Sequence, residues 1–456
     1  MTDTPLAGAS ILSFKVTVTG VSLTPSTGKA VSLTLNPTTP IVELTRLQSD
    51  SAFLGTSTVA SGNYTGATVS FTSPDIVLIN QTGGTLTGAT PTSACLVGAV
   101  CEFKPTSSGT ITVTTAPFPL TLTANEQTGL SLDFNLNNAI TMTNGAVSVD
   151  FTQAKVLTAA TLPRIGTPTG ALDLIEDFTG IITTISGNSV TVHSDTRGNI
   201  TAVANSSTTF NIDPTVCPAQ NITCLAANKT VSIDASLNLD GTMTLLEADL
   251  LDNVSVLANK LDAVEGTVFL TDPIKQQISI VLSDKTVTSG NSLLTAASPG
   301  TIVVAQLGAT PTFSVDTKGL SAVLASFNSI TFATLSNVFA GQTVRIQVLA
   351  NPAPTAGLNS SVLVTTNSVV LRFSRVTATV ATPPAPFFSV SFATLPTFFT
   401  GPLIPPNIPV QISTQTNFDG VTGITGLNVG DSVSMRALYI PNFPTSPFFA
   451  AKLRKH

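Results

Sequence analysis

The stretch ANKTVSIDA, residues 227–235, recurs twice downstream without gaps, as AGQTVRIQV at 340–348 and VGDSVSMRA at 429–437. Each copy has Asn or Gly at its second position, where a turn needs positive φ. A polar residue and a Thr or Ser follow. Then comes a Val (Val231, Val344, Val433) and, two residues later, Ile233, Ile346 or Met435. That period of two predicts a half-buried strand. Upstream of each copy an aromatic ends a polar run: Phe210 in SSTTF, Phe332 in NSITF and Phe418 in TQTNF. Each unit opens with strand-like text, FTGIITTISGNSVTVHS, VEGTVFLTDPIKQQISIVLSD and SRVTATVATPPAPFFSVSF. The anchor valines are 113 and then 89 residues apart, too irregular for a solenoid. The reading is three copies of one small β-barrel module, differing in loop length.

Alternation also fills the first third. In LSFKVTV the apolar set is Leu12, Phe14, Val16 and Val18, and beyond Gly20 it becomes Val21 and Leu23. The parity flip predicts a β-bulge at Thr19–Gly20. LSLDFNL places Leu130, Leu132, Phe134 and Leu136 on one face. ITMTNGAVSVDF predicts a hairpin turning at Asn144-Gly145. A short helix is expected within 45–55. The stretch 157–173, rich in Pro, Gly and Thr, has no clear alternation and reads as a linker. The expected architecture is all-β and elongated. A β-sandwich-like domain spans 1–157, a linker 158–173, and three barrel modules in series span 174–258, 259–373 and 374–456.

Composition supports strands. Charged residues are 10% of the chain, well below the usual quarter, and Ser, Thr and Asn take their place. Net charge is −6 and the 19 Lys and Arg are scattered, apart from the closing KLRKH. No basic stripe exists to neutralise a phosphate backbone, which argues against nucleic acid as a partner. No run of 18 apolar residues exists, so no transmembrane segment is expected.

The only cysteines form two close pairs, CLVGAVC (Cys95, Cys101) and CPAQNITC (Cys217, Cys224). Zinc knuckles place two to four residues between paired ligands, whereas these gaps are five and six, with no histidine beside either pair. Two local disulfides fit better than metal or free thiols. They persist only in oxidising compartments, which predicts an extracytoplasmic location: cell surface, periplasm or secreted. The opening MTDTPLAGASIL has neither the charged nor the apolar region of a signal peptide, so an export signal is expected upstream.

The opening TDTP (Asp3, Pro5), the VELTRL segment and the ASGNY turn ending in Tyr64 carry a resemblance. The N-terminal third resembles the β domain of predicted bacterial lipoproteins of a domain-of-unknown-function family. The downstream units, with their G-x-V/I-T opening, T-x-F segment and V-G-D-x-V strand, resemble a second uncharacterised family. The pairing is similar to envelope proteins of acidobacterial type. The resemblance implies a secreted or lipid-anchored envelope protein and transfers no site residues.

Candidate chemistry is sparse. A Ser-His-Asp arrangement would need His193 with Asp195, yet no G-x-S-x-G elbow is present. His193 reads as an exposed strand residue. Glu247 and Asp249 in LLEADLL could share a strand face as a glycosidase pair, but a solvated edge is the better reading. With no Trp and two Tyr there is no sugar-stacking platform, and Tyr64 is expected to pack at a strand corner with its hydroxyl on main chain. Phe387, Phe388, Phe398 and Phe399, with Phe443, Phe448 and Phe449, crowd proline-rich segments. They either fill the last barrel or form a contact patch. The expected role is non-enzymatic, without cofactor or metal: an envelope structural or adhesive protein that self-associates, as in a surface filament, or joins other envelope proteins. The alternatives are a polysaccharide or small-ligand binder and, third, a carboxylate-dependent hydrolase.

Overall fold

The computed structural model describes residues 9–456 apart from 91–92, 154, 216, 252–261, 318–319, 321–330, 350–352, 355–360, 383–387, 392–406 and 443–446. The N-terminal domain is built on two long antiparallel strands, Ala9–Pro25 and Gly62–Asn80. Shorter strands pair on both sides of them in an 11-stranded sheet. The ladder slips between Val18 and Gly20, the bulge expected from the parity flip. A second slip between Ile11 and Ser13 turns Leu12 to the opposite face, away from Phe14, Val16 and Val18. Asn144 (φ 51°) and Gly145 (φ 78°) make the expected hairpin turn. The helix expected within 45–55 is one 3-10 segment, Leu44–Gln48, capped by the Glu43 carboxylate on the Thr45 and Arg46 amides.

A two-stranded ribbon, Gly129–Phe134 with Leu157–Leu162, closes over the sheet. Phe134 packs edge-on against Phe14 and Phe71, and Phe151 stacks on Phe71 at 5.3 Å. Residues 157–162 are therefore a strand of the N-terminal domain, and the connection to the first barrel begins at Pro163. Thr158, Thr161 and their neighbours are half exposed on an edge, so no apolar alternation marks them.

Module 1 has five strands, Ala171–Ser186, Ser189–Ser194, Gly198–Asn211, Thr230–Asn238 and Met243–Leu250. The first three form an antiparallel meander, the third runs parallel to the fifth, and the fourth closes the ring by pairing with both fifth and first. Strand order 1-2-3-5-4-1 is the topology of the OB-fold. The same pairings recur in module 2 (first strand Ala263–Asp272, fifth Val362–Arg372) and module 3 (first strand Ser374–Val380, fifth Phe448–Lys455).

The three repeat motifs occupy one place in this topology, the entry to the fourth strand. Asn228, Gly341 and Gly430 all have positive φ (64°, 95° and 93°). Val231, Val344 and Val433 are fully buried and pair with Gly180, Gly266 and Ala378 of the first strands. The upstream aromatics need one correction. Phe210 and Phe418 lie opposite Ala248 and Leu453 of the fifth strands. The residue so placed in module 2 is Phe313, opposite Val369. Phe332 instead packs edge-on against Phe313 at 5.8 Å.

Both disulfides are present, Cys95–Cys101 and Cys217–Cys224. The second closes the loop between the third and fourth strands of module 1. Replacing Cys217 and Cys224 together by Ser is expected to cost about 2 kcal/mol, the loop-closure entropy of so small a ring. The shift in denaturant midpoint of the double variant measures it.

The four units are not independent beads. Leu12, Val77, Ile79 and Val100 of the N-terminal sheet pack on Val281 and Ile302 of module 2. Phe53 packs against the core of module 1, and Leu438, Ile440, Phe449 and Ala451 of module 3 complete the core of module 2.

Candidate functional site: a buried ionic junction

Scattered in sequence, the cations converge in space. Of the eight arginines in the chain, Arg46, Arg197, Arg372, Arg375, Arg436 and Arg454 meet at the junction of the four units. Lys452 joins them, against Asp50, Glu176, Asp177, Glu265, Asp284 and Asp419. This is the largest departure from the sequence-based expectation of scattered charge.

The geometry follows from the repeat. The eighth position of the motif is Asp234 in module 1, Gln347 in module 2 and Arg436 in module 3. In module 3, Arg436 lies between Arg375 on the first strand and Lys452 on the fifth. In module 1, Asp234 lies opposite Glu247, and a two-residue bulge in the first strand puts Glu176 and Asp177 where Arg375 stands in module 3. One fold thus carries a cationic row in one copy and an anionic row in another. Three adjacent cations on one sheet repel each other. Here the bulge of module 1 fits against them. Asp177 accepts Arg436 Nε and Nη2 at 2.6 and 2.7 Å, and Glu176 forms an ion pair with Lys452 Nζ at 2.7 Å. Asp177 sits at φ 49°, a left-handed conformation that Asp tolerates better than most residues. Arg436 also stacks on Phe373, 4.3 Å from the ring centre.

The N-terminal domain supplies the keystone from its 3-10 turn. Arg46 bonds Asp284 of module 2 at 3.2 Å and the Asp177 carbonyl at 2.8 Å. Asp50 accepts Arg197 at 2.9 Å, and Arg454 donates to the Leu47 and Asp50 carbonyls. Arg372 reaches Glu265 at 3.2 Å and Asp177 at 3.5 Å, and also meets Asp316.

Burial alone would raise the Asp50, Glu265 and Asp419 carboxyls. The surrounding guanidinium groups outweigh it, and all three are held below their ordinary values. Burial, reinforced by Arg46, lowers Arg375 to about 10 against the pull of Asp177 and Asp50. A carboxyl with a depressed folded pKa contributes stability above its unfolded value and loses it as pH falls through the folded one. Stability is therefore expected to hold at mild acidity and to drop steeply below the ordinary values of 3.8 for Asp and 4.5 for Glu. Denaturant midpoints taken along a pH series check this.

The residues singled out from sequence lie elsewhere. Phe388, Phe448 and Phe449 are core residues, about 1% exposed, which removes them from any contact patch. Phe388 and Phe448 face the closed barrel of module 3, whereas Phe449 points outward from it into the core of module 2. Phe387, Phe398, Phe399 and Phe443 lie outside the described residues. His193 is an exposed strand residue whose Nδ1 meets Asn199 at 2.6 Å, with Asp195 at 3.6 Å from Nε2. Glu247 accepts a bond from Asn211, and Asp249 is buried in the same strand. The Tyr64 hydroxyl donates to the Ala60 carbonyl at 2.8 Å, as expected. A Ser–His contact absent from the sequence reading joins Ser434 Oγ to His456 Nε2 at 2.7 Å. Ser434 is fully buried, out of reach of a substrate, and burial pushes the imidazole down to about 2. Among the described residues no group of three or more His, Cys, Asp or Glu could hold a metal, and no helix is long and apolar enough to cross a membrane.

Arg46 and Asp50, with the long paired strands behind them, belong to the part of the chain that has a family match. Residues 1–149 match the model of a domain of unknown function (DUF4382). The DUF4382 region covers 149 of the 456 residues and supplies the keystone turn, whereas the three OB-type modules lie beyond it. No curated protein matches the chain. Among solved structures, "drosophila Unr CSD456" matches with 8% identity over 61% of this chain and 97% of that one, at a TM-score of 0.13, too low to carry an argument.

Proposed function

We infer that this is a non-enzymatic, extracytoplasmic component of a cell envelope, acting as a rigid structural or adhesive body. The observation that carries the reading is the junction: six of the eight arginines are committed to locking four units into one piece. Outside the junction, hydroxyl side chains pair across exposed strands, as in Thr68–Thr112 and Thr191–Thr201. Such a surface suits packing against other neutral surfaces, in self-association or beside other envelope proteins. The two disulfides support an oxidising compartment, and the sequence resemblance to envelope lipoproteins of acidobacterial type is the basis for naming the envelope. Fractionation of native cells tests the reading. The protein is expected with the envelope, its cysteines oxidised and open to alkylation only after reduction. Recovery from the cytosol with free thiols would overturn it.

Polysaccharide binding is the second reading, favoured by one observation. The faces that OB-folds use for oligosaccharides and oligonucleotides lie on strands two and three. In module 2 that face is covered by the N-terminal sheet at Val281 and Ile302. In module 1 it is open and carries Thr191, His193, Asn199 and Thr201. It lacks the aromatic platform and basic groove of single-strand nucleic-acid binders. Glycan-array binding abolished by Asn199→Ala and His193→Ala would favour this reading over the first.

A further inference from the structure

We propose that Lys15 and Asp75 condense into an intramolecular amide that staples the two longest strands of the N-terminal domain. The two residues are direct cross-strand partners on Ala9–Pro25 and Gly62–Asn80. Lys15 Nζ stands 2.9 Å from Asp75 Oδ2, and both side chains are largely buried, 15% and 7% exposed. Asp75 Oδ1 is buried without a hydrogen bond, so one face of the carboxyl is unengaged. The amine is held in place from outside the domain. Lys15 Nζ donates to Ser298 Oγ at 2.6 Å and to the Pro299 carbonyl at 2.9 Å. The same module 2 loop roofs the site, since a side chain at Gly300 would meet Val77 and Ser13.

A third group stands beside the pair. Glu102 lies opposite Val77, two residues along from Asp75 and on the same face of the sheet. Its Oε1 meets Lys104 at 2.8 Å, and its Oε2 is buried without a hydrogen bond. Burial, together with the neighbouring Asp75 charge, raises Glu102 above its ordinary value. A carboxyl biased toward its acid form can lend a proton to the departing Asp75 oxygen and accept one from the lysine.

The step balances without a co-reactant. The Lys15 ammonium loses a proton and its lone pair attacks Asp75 Cγ. The Cγ–O bond breaks and that oxygen leaves as water, taking the two protons shed by nitrogen. One ammonium and one carboxylate vanish together, so no net charge is created in a poorly solvated place. Burying a neutral amide in place of an ion pair removes a desolvation cost, and releasing the water to bulk favours the product.

The test is the intact mass of the full chain after denaturation, followed by peptide mapping. The expected mass is that of the chain with two disulfides less one further water, and mapping finds a branched peptide joining Lys15 to Asp75. Lys15→Arg is expected to restore the linear mass. Glu102→Gln, which leaves Lys15 and Asp75 in place, is expected to restore it largely or wholly. A wild-type mass with no water missing overturns the proposal. So does a water loss carried by a single unbranched peptide, as a cyclised aspartate would give. Full cross-linking in Glu102→Gln would overturn the part assigned to Glu102.

Discussion

Asp177→Asn is expected to lower the unfolding free energy by about 3–5 kcal/mol, the usual cost of removing one partner from a buried ion pair. The size follows from what surrounds the carboxylate. It takes two bonds from Arg436 and stands 3.4 Å from Arg375 and 3.5 Å from Arg372. Neutralising it leaves these cations facing one another, with Lys452 beside them on the same sheet, out of water. Salt should rescue little, because ions screen buried charges poorly. Asp240→Asn, in an exposed turn of the same module, is the control and should shift stability by no more than about 0.5 kcal/mol. Equal midpoints for the two variants in denaturant titrations would show that the junction does not hold the units together.

Gly266→Ala is expected to cost about 3 kcal/mol, at the upper end for forced overpacking. A methyl group there would lie 2.2 Å from the Val281 carbonyl oxygen, on the neighbouring strand. Gly180 in module 1 has the same environment, with the His193 carbonyl oxygen at 2.1 Å. Backbone cannot swing aside as a flexible side chain would. Module 3 is the natural comparison, because Ala378 fills that column. Among the described residues its second strand, Phe388–Ser391, pairs with the first at Thr379 and Val380, and the Ala378 methyl group is accommodated in the barrel core. Ala378→Gly is accordingly expected to cost no more than about 1 kcal/mol, the ordinary glycine penalty in a strand. Thermal unfolding of both variants gives the contrast directly, and equal shifts would contradict it.

Local rules made much of the fold legible. A positive-φ residue followed by alternation located the fourth strand of all three barrels, because turn chemistry and pleat are decided within a few residues. Asn144-Gly145, the Thr19–Gly20 bulge and the Tyr64 hydroxyl were readable for the same reason. Leu157–Leu162 was not, since a half-exposed edge ribbon needs no alternation. Phe332 stood in for Phe313 because a short polar-plus-aromatic pattern says nothing about register against a parallel strand far along the chain. The junction was the least legible feature. Arg436 and Asp177 are 259 residues apart, and Arg454 and Asp50 are 404 apart. No periodicity links such positions. A signal did exist: once the repeats are stacked, one column reads Asp234, Gln347 and Arg436, opposite charges at equivalent places in duplicated modules.

The keystone turn has a consequence for whether the N-terminal domain can stand alone. Arg46 and Asp50 find their counter-charges on chain that follows the DUF4382 region, and the face carrying Leu12, Val77 and Ile79 is sealed by Val281 and Ile302. Excised, the domain would leave Arg46 and Asp50 with only each other for counter-charge, 3.8 Å apart, and would turn a greasy wall to solvent. It is therefore portable only onto a host that supplies a matching socket.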